Sequence, residues 1–372
     1  MADFHQNGNI ATLHNLRTRS LDEMTYELET FAQTRKMALI LPCLYSELET
    51  EAMPRILAEL SKVTYLHRII IGLDRADEAQ FRHAKEFFKG LNQNHIVIWN
   101  DSPRMLALGA QLKDMGLAPA EQGKGKNVWS SLGYLIACQD SAVMAIHDCD
   151  IVTYTNDLLA RLIYPVANAN FPYQVAKGYY ARVGSDKLNG RVTRLLVSPL
   201  LIALKKVVGD RDYIDYLRAF RYPLSGEFAM RTNILPDLRI PSDWGLEIGV
   251  LSEAWRNLAP KSVCQVEIAD DYDHKHQDLS EADADAGLNR MSTDICKAIF
   301  RKLAADGTVF TPNVFRTLKA TYYRAALDLI EQYRADALFN GLKINRDEEE
   351  NCVEVLSEVI ISAGQHYLEN PL

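Results

Sequence analysis

Apolar positions in the first half of this chain fall into short uninterrupted runs. Met37 to Pro42 (MALILP), His67 to Leu73 (HRIIIGL), Asn94 to Trp99 (NHIVIW) and Ala142 to His147 (AVMAIH) lack the polar alternation of a half-exposed strand. Such runs, bounded by polar or turn residues, fit strands buried on both faces of a parallel sheet. Helical spacing lies between them, over Leu21 to Gln33, Glu49 to Leu60, Glu78 to Lys89 and Lys126 to Ala137. Strand–helix alternation of this kind predicts a parallel sheet with right-handed crossovers. Gly116 to Gly125 reads as a loop. After His147 the pattern loosens: Tyr173 to Arg182, Ser225 to Met230 and Val263 to Ile268 look extended, and Arg194 to Val208 helical. Beyond Ser280 the spacing is helical throughout, over Asp283 to Ala305, Pro312 to Ala337 and Glu348 to Tyr367. The expected organisation is a lead-in with one helix (1–35), an α/β sheet domain (36–280) and a helical C-terminal region (281–372). The charged stretch Asn345 to Asn351 reads as a solvated helix face.

Composition narrows the function. With 372 residues, 48% hydrophobic and 24% charged, the chain can bury a large core without staples. A formal net charge of −8 argues against a general nucleic-acid binder, which needs a basic surface. It still leaves room for a local basic pocket that takes a phosphorylated small molecule. None of the six cysteines is spaced as CxxC, so neither a zinc knuckle nor a thioredoxin-like site is indicated. The polar N-terminus does not resemble a signal peptide, and no apolar stretch is long enough to span a bilayer. A cytoplasmic protein without a membrane partner is expected.

The chemistry concentrates where the fourth run ends, at Asp148-Cys149-Asp150. Two carboxylates at the mouth of a buried strand are costly unless a positive charge meets them. A hard cation, Mg²⁺ or Mn²⁺, does so with carboxylates and phosphate oxygens. Strand carboxyl ends are also where open α/β sheets bind ligands. The plainer alternative is a helix cap or turn, which aspartate favours on its own account. Gly123-Lys-Gly-Lys126 leads into a helix and offers backbone N–H groups with Lys124 to a diphosphate. It lacks the spacing of a P-loop, and a solvated loop is its alternative. Leu41, Pro42, Leu44 and Glu47 follow the first strand, where a nucleotide would sit, or form a plain strand-ending turn. His274 or His276 would complete a metal sphere, or simply be polar residues in contact with solvent. Gly190-Arg-Val-Thr193 offers a bidentate oxyanion site, or a loop capped by Thr193 at the helix that starts at Arg194.

Taken in order, LPCLYSELE (Leu41 to Glu49), GKGKNVWSSL (Gly123 to Leu132), DCD (Asp148 to Asp150), NGRVTRLLVSPLL (Asn189 to Leu201), LSGEFAMR (Leu224 to Arg231), SDWGLEIGVL (Ser242 to Leu251) and DHKHQDLS (Asp273 to Ser280) resemble the glucosyl-3-phosphoglycerate synthases. These are retaining glycosyltransferases of GT-A fold, related to the mannosyl-3-phosphoglycerate and mannosylglycerate synthases. The resemblance runs from 37 to 280. It implies a Rossmann-like domain with a mostly parallel sheet and transfer of glucose from a nucleotide donor such as UDP-glucose to 3-phosphoglycerate. It implies a cation on Asp148 and Asp150 with His274, or alternatively His276. Leu41, Pro42, Leu44, Glu47 and Lys124 would line the nucleotide pocket, and Gly190, Arg191 and Thr193 would take the acceptor. Glu247 would lie at the reacting sugar as nucleophile or stabiliser, and Gly226 or Glu227 at its hydroxyls. Where the family carries a Ser/Gly-rich turn, this chain reads Gly72-Leu-Asp74-Arg, with Asp74 as the ribose or base contact. Mannosyl transfer from GDP-mannose, glycerate as acceptor, nucleotidyl transfer and non-catalytic sugar-nucleotide binding are the competing readings. A homodimer is the expected assembly.

Overall fold

The computed structural model describes residue 6 and residues 8–117, 123–184, 186–273 and 287–371. His274 and His276 lie outside the described residues. In the first half, β1 (Ala11–Leu13), α1 (Leu21–Ala32), β2 (Met37–Leu44), α2 (Ala52–Leu60), β3 (Leu66–Asp74), α3 (Glu78–Phe87), β4 (His95–Trp99), α4 (Pro103–Asp114), α5 (Lys124–Cys138) and β5 (Val143–Ile146) follow one another. Then come α6 (Asn156–Ala167), β6 (Val175–Tyr179), the hairpin β7 (Val183–Gly184) and β8 (Lys187–Leu188), α7 (Ser198–Val208), α8 (Asp212–Ala219), β9 (Phe228–Arg231), α9 (Leu246–Asn257) and β10 (Val263–Glu267). The chain closes with α10 (Leu288–Ala305), α11 (Pro312–Phe339) and α12 (Arg346–Glu369).

The main sheet has eight strands in the order β1-β10-β6-β9-β5-β2-β3-β4. All neighbours run parallel except β9, which is antiparallel to both β5 and β6. With that one reversal the sheet is mostly parallel, as the resemblance implies; which strand runs back is unmarked in the sequence, because residue pattern encodes burial and not strand direction. Alternate residues of β2 enter different cores: Ala38 and Ile40 pack with α5, α7 and the C-terminal helices, whereas Leu39 and Leu41 pack with α1, α2 and α6. Both faces are therefore covered, which explains the unbroken apolar runs. Helices α6 and α9 lie in the stretch that the sequence reading left irregular; most of their residues are buried, and α6 keeps only a narrow partly exposed stripe of Asp157, Arg161 and Tyr164. β1 escapes it because three residues are too few to establish a period.

The C-terminal helices share the core on one face of the sheet. Phe300, Phe315, Tyr322, Leu356 and Ile360 are buried in it, and the Tyr322 hydroxyl donates to the Leu195 carbonyl at 2.6 Å. Two local expectations change here. The helix after Gly190 starts before Arg194, as a π-helical turn over Val192–Val197, so Thr193 lies inside it rather than capping it. Gly190, at φ +77°, turns the chain so that its carbonyl already accepts the Arg194 N–H at 3.0 Å. The charged run at the start of α12 is not wholly a solvated face either. Glu349 is buried and receives both terminal nitrogens of Arg194, at 2.6 and 2.8 Å, with side chains only 7% and 6% exposed. Arg194 also donates to the Asn189 and Leu188 carbonyls, at 2.9 and 3.1 Å, and so fixes the segment before Gly190.

Removing one partner of such a pair strands a buried charge. Glu349→Ala is expected to lower unfolding free energy by about 3–5 kcal/mol. Glu350→Ala, which loses only a solvent-exposed contact to Arg346, should cost at most about 1 kcal/mol. Urea denaturation of the two variants checks this, and equal shifts would return Glu349 to the solvated face.

Candidate active site

The carboxyl ends of β3, β2, β5 and β6 bring Asp74, Leu44, Asp148 and Tyr180 along one edge of the sheet, in that spatial order. A cavity of about 610 Å³ follows this edge. Pro42, Leu44, Glu47, Asp74, Lys124, Asp148, Asp150, Gly190, Arg191, Thr193, Gly226 and Glu247 all line it. Leu41 and Glu227 do not line it: Leu41 points into the core, and Glu227 is fully buried behind the wall. The cavity also takes in Trp244 of the SDWGLEIGVL segment, and Asn100, Tyr180, Arg182, Lys187 and Tyr222, which carry no motif of their own in the sequence.

Lys124 joins the floor together. It opens α5, two residues before the expected helix start, and its first-turn N–H groups have no intrahelical acceptor. Its Nζ lies 2.6 Å from Asp148 Oδ1 and 3.0 Å from Glu247 Oε1. Burial lowers the lysine pKa, but the Asp148 and Glu247 carboxylates outweigh it and hold the group well above its ordinary value. Glycine at 125 lets this helix end approach the Ser242 segment, since a Cβ there would fall 2.3 Å from the Pro241 carbonyl oxygen. Gly245 then opens α9, whose first turn carries Glu247.

Negative charge is in excess around that lysine. Burial, with Lys124 opposing it, leaves Asp148 pushed up to about 6, and Glu227 and Asp150 add to the rise. Glu47 is pushed up to about 8 by burial and then by Asp150 and Asp148. Crowded carboxylates that resist ionising together are a fitting bed for a divalent cation, and oxygen donors suit Mg²⁺ or Mn²⁺. Cys43 and Cys149 place sulfurs within 4.8 Å of a Glu47 oxygen. Their mutual hydrogen bond lowers Cys43 and raises Cys149, and burial pushes both thiols up, so they stay protonated. A hard cation gains little from them.

Behind the floor, Glu227 accepts hydrogen bonds from Tyr180 at 2.7 Å, Tyr272 at 2.8 Å and Ser225 at 3.0 Å. The buried Lys177 donates to the Ser225 carbonyl. Together they fix the turn that presents Gly226. A Cβ at that position would lie 2.2 Å from Asp148 Oδ2 and 2.8 Å from Lys124 Nζ, so only glycine lets the backbone pass the ion pair. At the β3 end, Asn100 donates to Asp74 at 2.7 Å. Gly72 is glycine because α5 lies against it: a Cβ would fall 2.0 Å from Asn127 Oδ1, and Asn127 donates to the Gly72 carbonyl at 2.7 Å. At the β6 end, Thr193 is buried, and its hydroxyl has no hydrogen-bond partner among the described residues. Arg191 is 39% exposed, with Glu348 4.0 Å away.

No family model matches the chain. A curated relative from Persephonella marina, glucosyl-3-phosphoglycerate synthase, is 46% identical over 372 residues, covering 100% of this chain and 92% of its own. The protein of that name from Methanococcoides burtonii is 39% identical over 374 residues, covering 99% and 91%. Among solved structures, glucosyl-3-phosphoglycerate synthase from Mycobacterium tuberculosis with Mn²⁺, UDP-glucose and phosphoglyceric acid superposes with a TM-score of 0.58. That match is 21% identical and covers 79% of this chain and 88% of the other. The same enzyme with Mn²⁺, UDP and glucosyl-3-phosphoglycerate gives a TM-score of 0.58 at 20% identity. The solved structures establish the shared glycosyltransferase fold, and the two full-length relatives establish the family. This chain belongs to the glucosyl-3-phosphoglycerate synthases.

Proposed function

We propose that the chain transfers glucose from UDP-glucose to the hydroxyl of 3-phosphoglycerate, retaining anomeric configuration, with Mg²⁺ or Mn²⁺ held by Asp148 and Asp150. The observation that carries this is Lys124 bridging Asp148 and Glu247 on the floor of a cavity whose far wall is cationic. The relatives' name states the reaction, and the solved neighbour holds both substrates with Mn²⁺. A histidine from His274 or His276 is the third ligand that the family resemblance supplies. When bound, the cation would offset charge that develops on the departing diphosphate.

The chain's own residues do the rest. Pro42, Leu44, Glu47 and Asp74 lie at the β2–β3 end and form the nucleotide side. Lys124 adds a fixed positive charge beside the diphosphate position and needs no reorganisation, because Asp148 and Glu247 already orient it. Gly226 leaves room for the hexose against that pair, and Glu227 holds the turn from behind. Glu247 faces the anomeric carbon. A carboxylate partly neutralised by a lysine is a weak nucleophile, so its role is to stabilise an oxocarbenium-like state while the leaving phosphate takes the acceptor proton. Arg191, Thr193 and Gly190 receive the acceptor at the β6 end, where the orphaned Thr193 hydroxyl awaits a partner. Among the described residues no helix is long and apolar enough to cross a membrane. All six cysteines are free thiols, which supports a cytoplasmic setting.

Product formation is measured with UDP-glucose or GDP-mannose against 3-phosphoglycerate or glycerate, with Mg²⁺, Mn²⁺ or chelator. UDP-glucose with 3-phosphoglycerate should turn over fastest and stop on chelation; preference for another pair, or metal-independent turnover, contradicts the reading. Asp150→Ala is expected to lose at least about 10²-fold in turnover with its circular dichroism unchanged, and undiminished transfer would sink the metal assignment. Gly226→Ala should likewise lose at least about 10²-fold, since its methyl displaces Asp148 or Lys124. Wild-type kinetics in that variant would show that the floor yields.

A further inference from the structure

Arg182 stands apart from the other arginines that reach into this half of the molecule. The Arg194 guanidinium makes four hydrogen bonds, to Glu349 and two carbonyls, and that of Arg231 makes three, to the carbonyls of Val166, Asn168 and Phe171. Arg182 lines the cavity, yet its side chain makes one hydrogen bond among the described residues, Nη1 to the Tyr222 hydroxyl at 3.2 Å. Its Nε is buried and has no partner there, and no described carboxylate lies within ion-pair range. Five N–H donors with one acceptor leave most of a planar fork unsatisfied. A partly buried guanidinium in that condition is matched to an anion that arrives from outside the chain.

Its surroundings hold it in place. The Arg182 carbonyl accepts the Asn189 N–H at 2.8 Å, so residue 182 is tied to the segment that leads into Gly190. A Cβ at Gly190 would meet Tyr222 Oη at 3.5 Å and Arg182 Cδ at 3.9 Å. The arginine and its tyrosine therefore lie directly against that glycine. Tyr222 in turn packs on Tyr180, with ring centroids 5.1 Å apart, and Tyr180 donates to Glu227 behind the Gly226 turn. Arg182 is thus the inner cation, linked toward the reaction centre, whereas Arg191 is the outer one, at the mouth beside Glu348.

We infer that Arg182 binds the carboxylate of the acceptor while Arg191 and Thr193 bind its phosphate. The inference rests on the proposed acceptor. 3-Phosphoglycerate has one free hydroxyl, at C2. The carboxylate is bonded to that same carbon, and the phosphate is one carbon and one ester oxygen further away. The group that reads the carboxylate must therefore be the cation nearer the sugar, and a planar fork matches a planar carboxylate in two parallel hydrogen bonds. Arg191, the Thr193 hydroxyl and the N–H groups at the start of the 192–208 helical segment suit the tetrahedral phosphate. Arg182 then makes the enzyme select a phosphorylated hydroxy acid over a phosphorylated alcohol.

Glycerol 3-phosphate keeps the phosphate and lacks the carboxylate, so it separates the two cations. The full-length enzyme with Mn²⁺ and UDP-glucose is assayed for half-saturation by the acceptor, 3-phosphoglycerate, and for competitive inhibition by glycerol 3-phosphate. Arg182→Gln should raise the half-saturating acceptor concentration by about 10–100-fold and leave the inhibition constant of glycerol 3-phosphate within about threefold. Arg191→Gln should weaken both. Calorimetric binding of UDP with Mn²⁺, unchanged in the variant, confirms an intact donor side; if Arg182→Gln fails to fold, Arg182→Lys, which keeps the charge but loses the fork, is read in the same way. Parallel weakening of both compounds, or unchanged half-saturation by the acceptor, overturns the assignment and leaves the proposed reaction standing. A wild-type enzyme that does not use 3-phosphoglycerate removes the proposed reaction itself.

Discussion

A lysine ammonium between two carboxylates, one at the end of a central strand and one in the first turn of a distant helix, organises this molecule's working face. Lys124, Asp148 and Glu247 come from three segments separated by long stretches of chain. Their 2.6 and 3.0 Å contacts are made in a setting where each group would be costly alone. Two glycines make room for it. Gly125 allows the helix that carries the lysine to reach the Ser242 segment, and Gly226 allows the opposing backbone to pass over the pair. The arrangement leaves more carboxylate than lysine, which is the charge imbalance that the proposed cation would offset.

Topology sets the rest of the geometry. Parallel strands β3, β2, β5 and β6 all end at one edge, and the proposed nucleotide, metal, sugar and acceptor regions follow that edge in spatial order. The antiparallel β9 is inserted between β5 and β6, so it begins at that same edge and the turn before it delivers Gly226 beside Asp148. Behind this turn, Glu227 accepts from Tyr180, Tyr272 and Ser225, and Lys177 donates to the Ser225 carbonyl, so the turn is held by a buried polar network. The C-terminal helices contribute as well. Glu349 on α12 grips Arg194, and Arg194 holds the carbonyls just before Gly190, so the proposed acceptor wall is anchored to a region far along the chain.

Much of this was legible in the sequence where burial leaves an unambiguous mark. β2, β3 and β5 read as strands because both of their faces are covered, and the aspartate pair stood out because it ended such a run. Other features leave no mark. Glu348, Glu349 and Glu350 are the same residue type in a row, and only the position of Arg194 decides that the middle one is buried. Gly226 and Glu227 are adjacent, yet strand geometry sends one to the cavity and the other behind it. Arg182 follows a strand without any motif, and its significance comes from partners it lacks rather than from residues beside it. The direction of β9 depends on tertiary packing, which local periodicity does not report.

We take the Lys124 bridge to be preorganised for catalysis and not merely a structural ion pair. Lys124→Met preserves most of the side-chain length and removes the charge. Single-turnover transfer from UDP-glucose to 3-phosphoglycerate, with saturating Mn²⁺ and both substrates, should then slow by about 10²–10³-fold while the fold is retained by circular dichroism. A variant that folds normally and transfers glucose within about threefold of the wild-type rate would contradict the account.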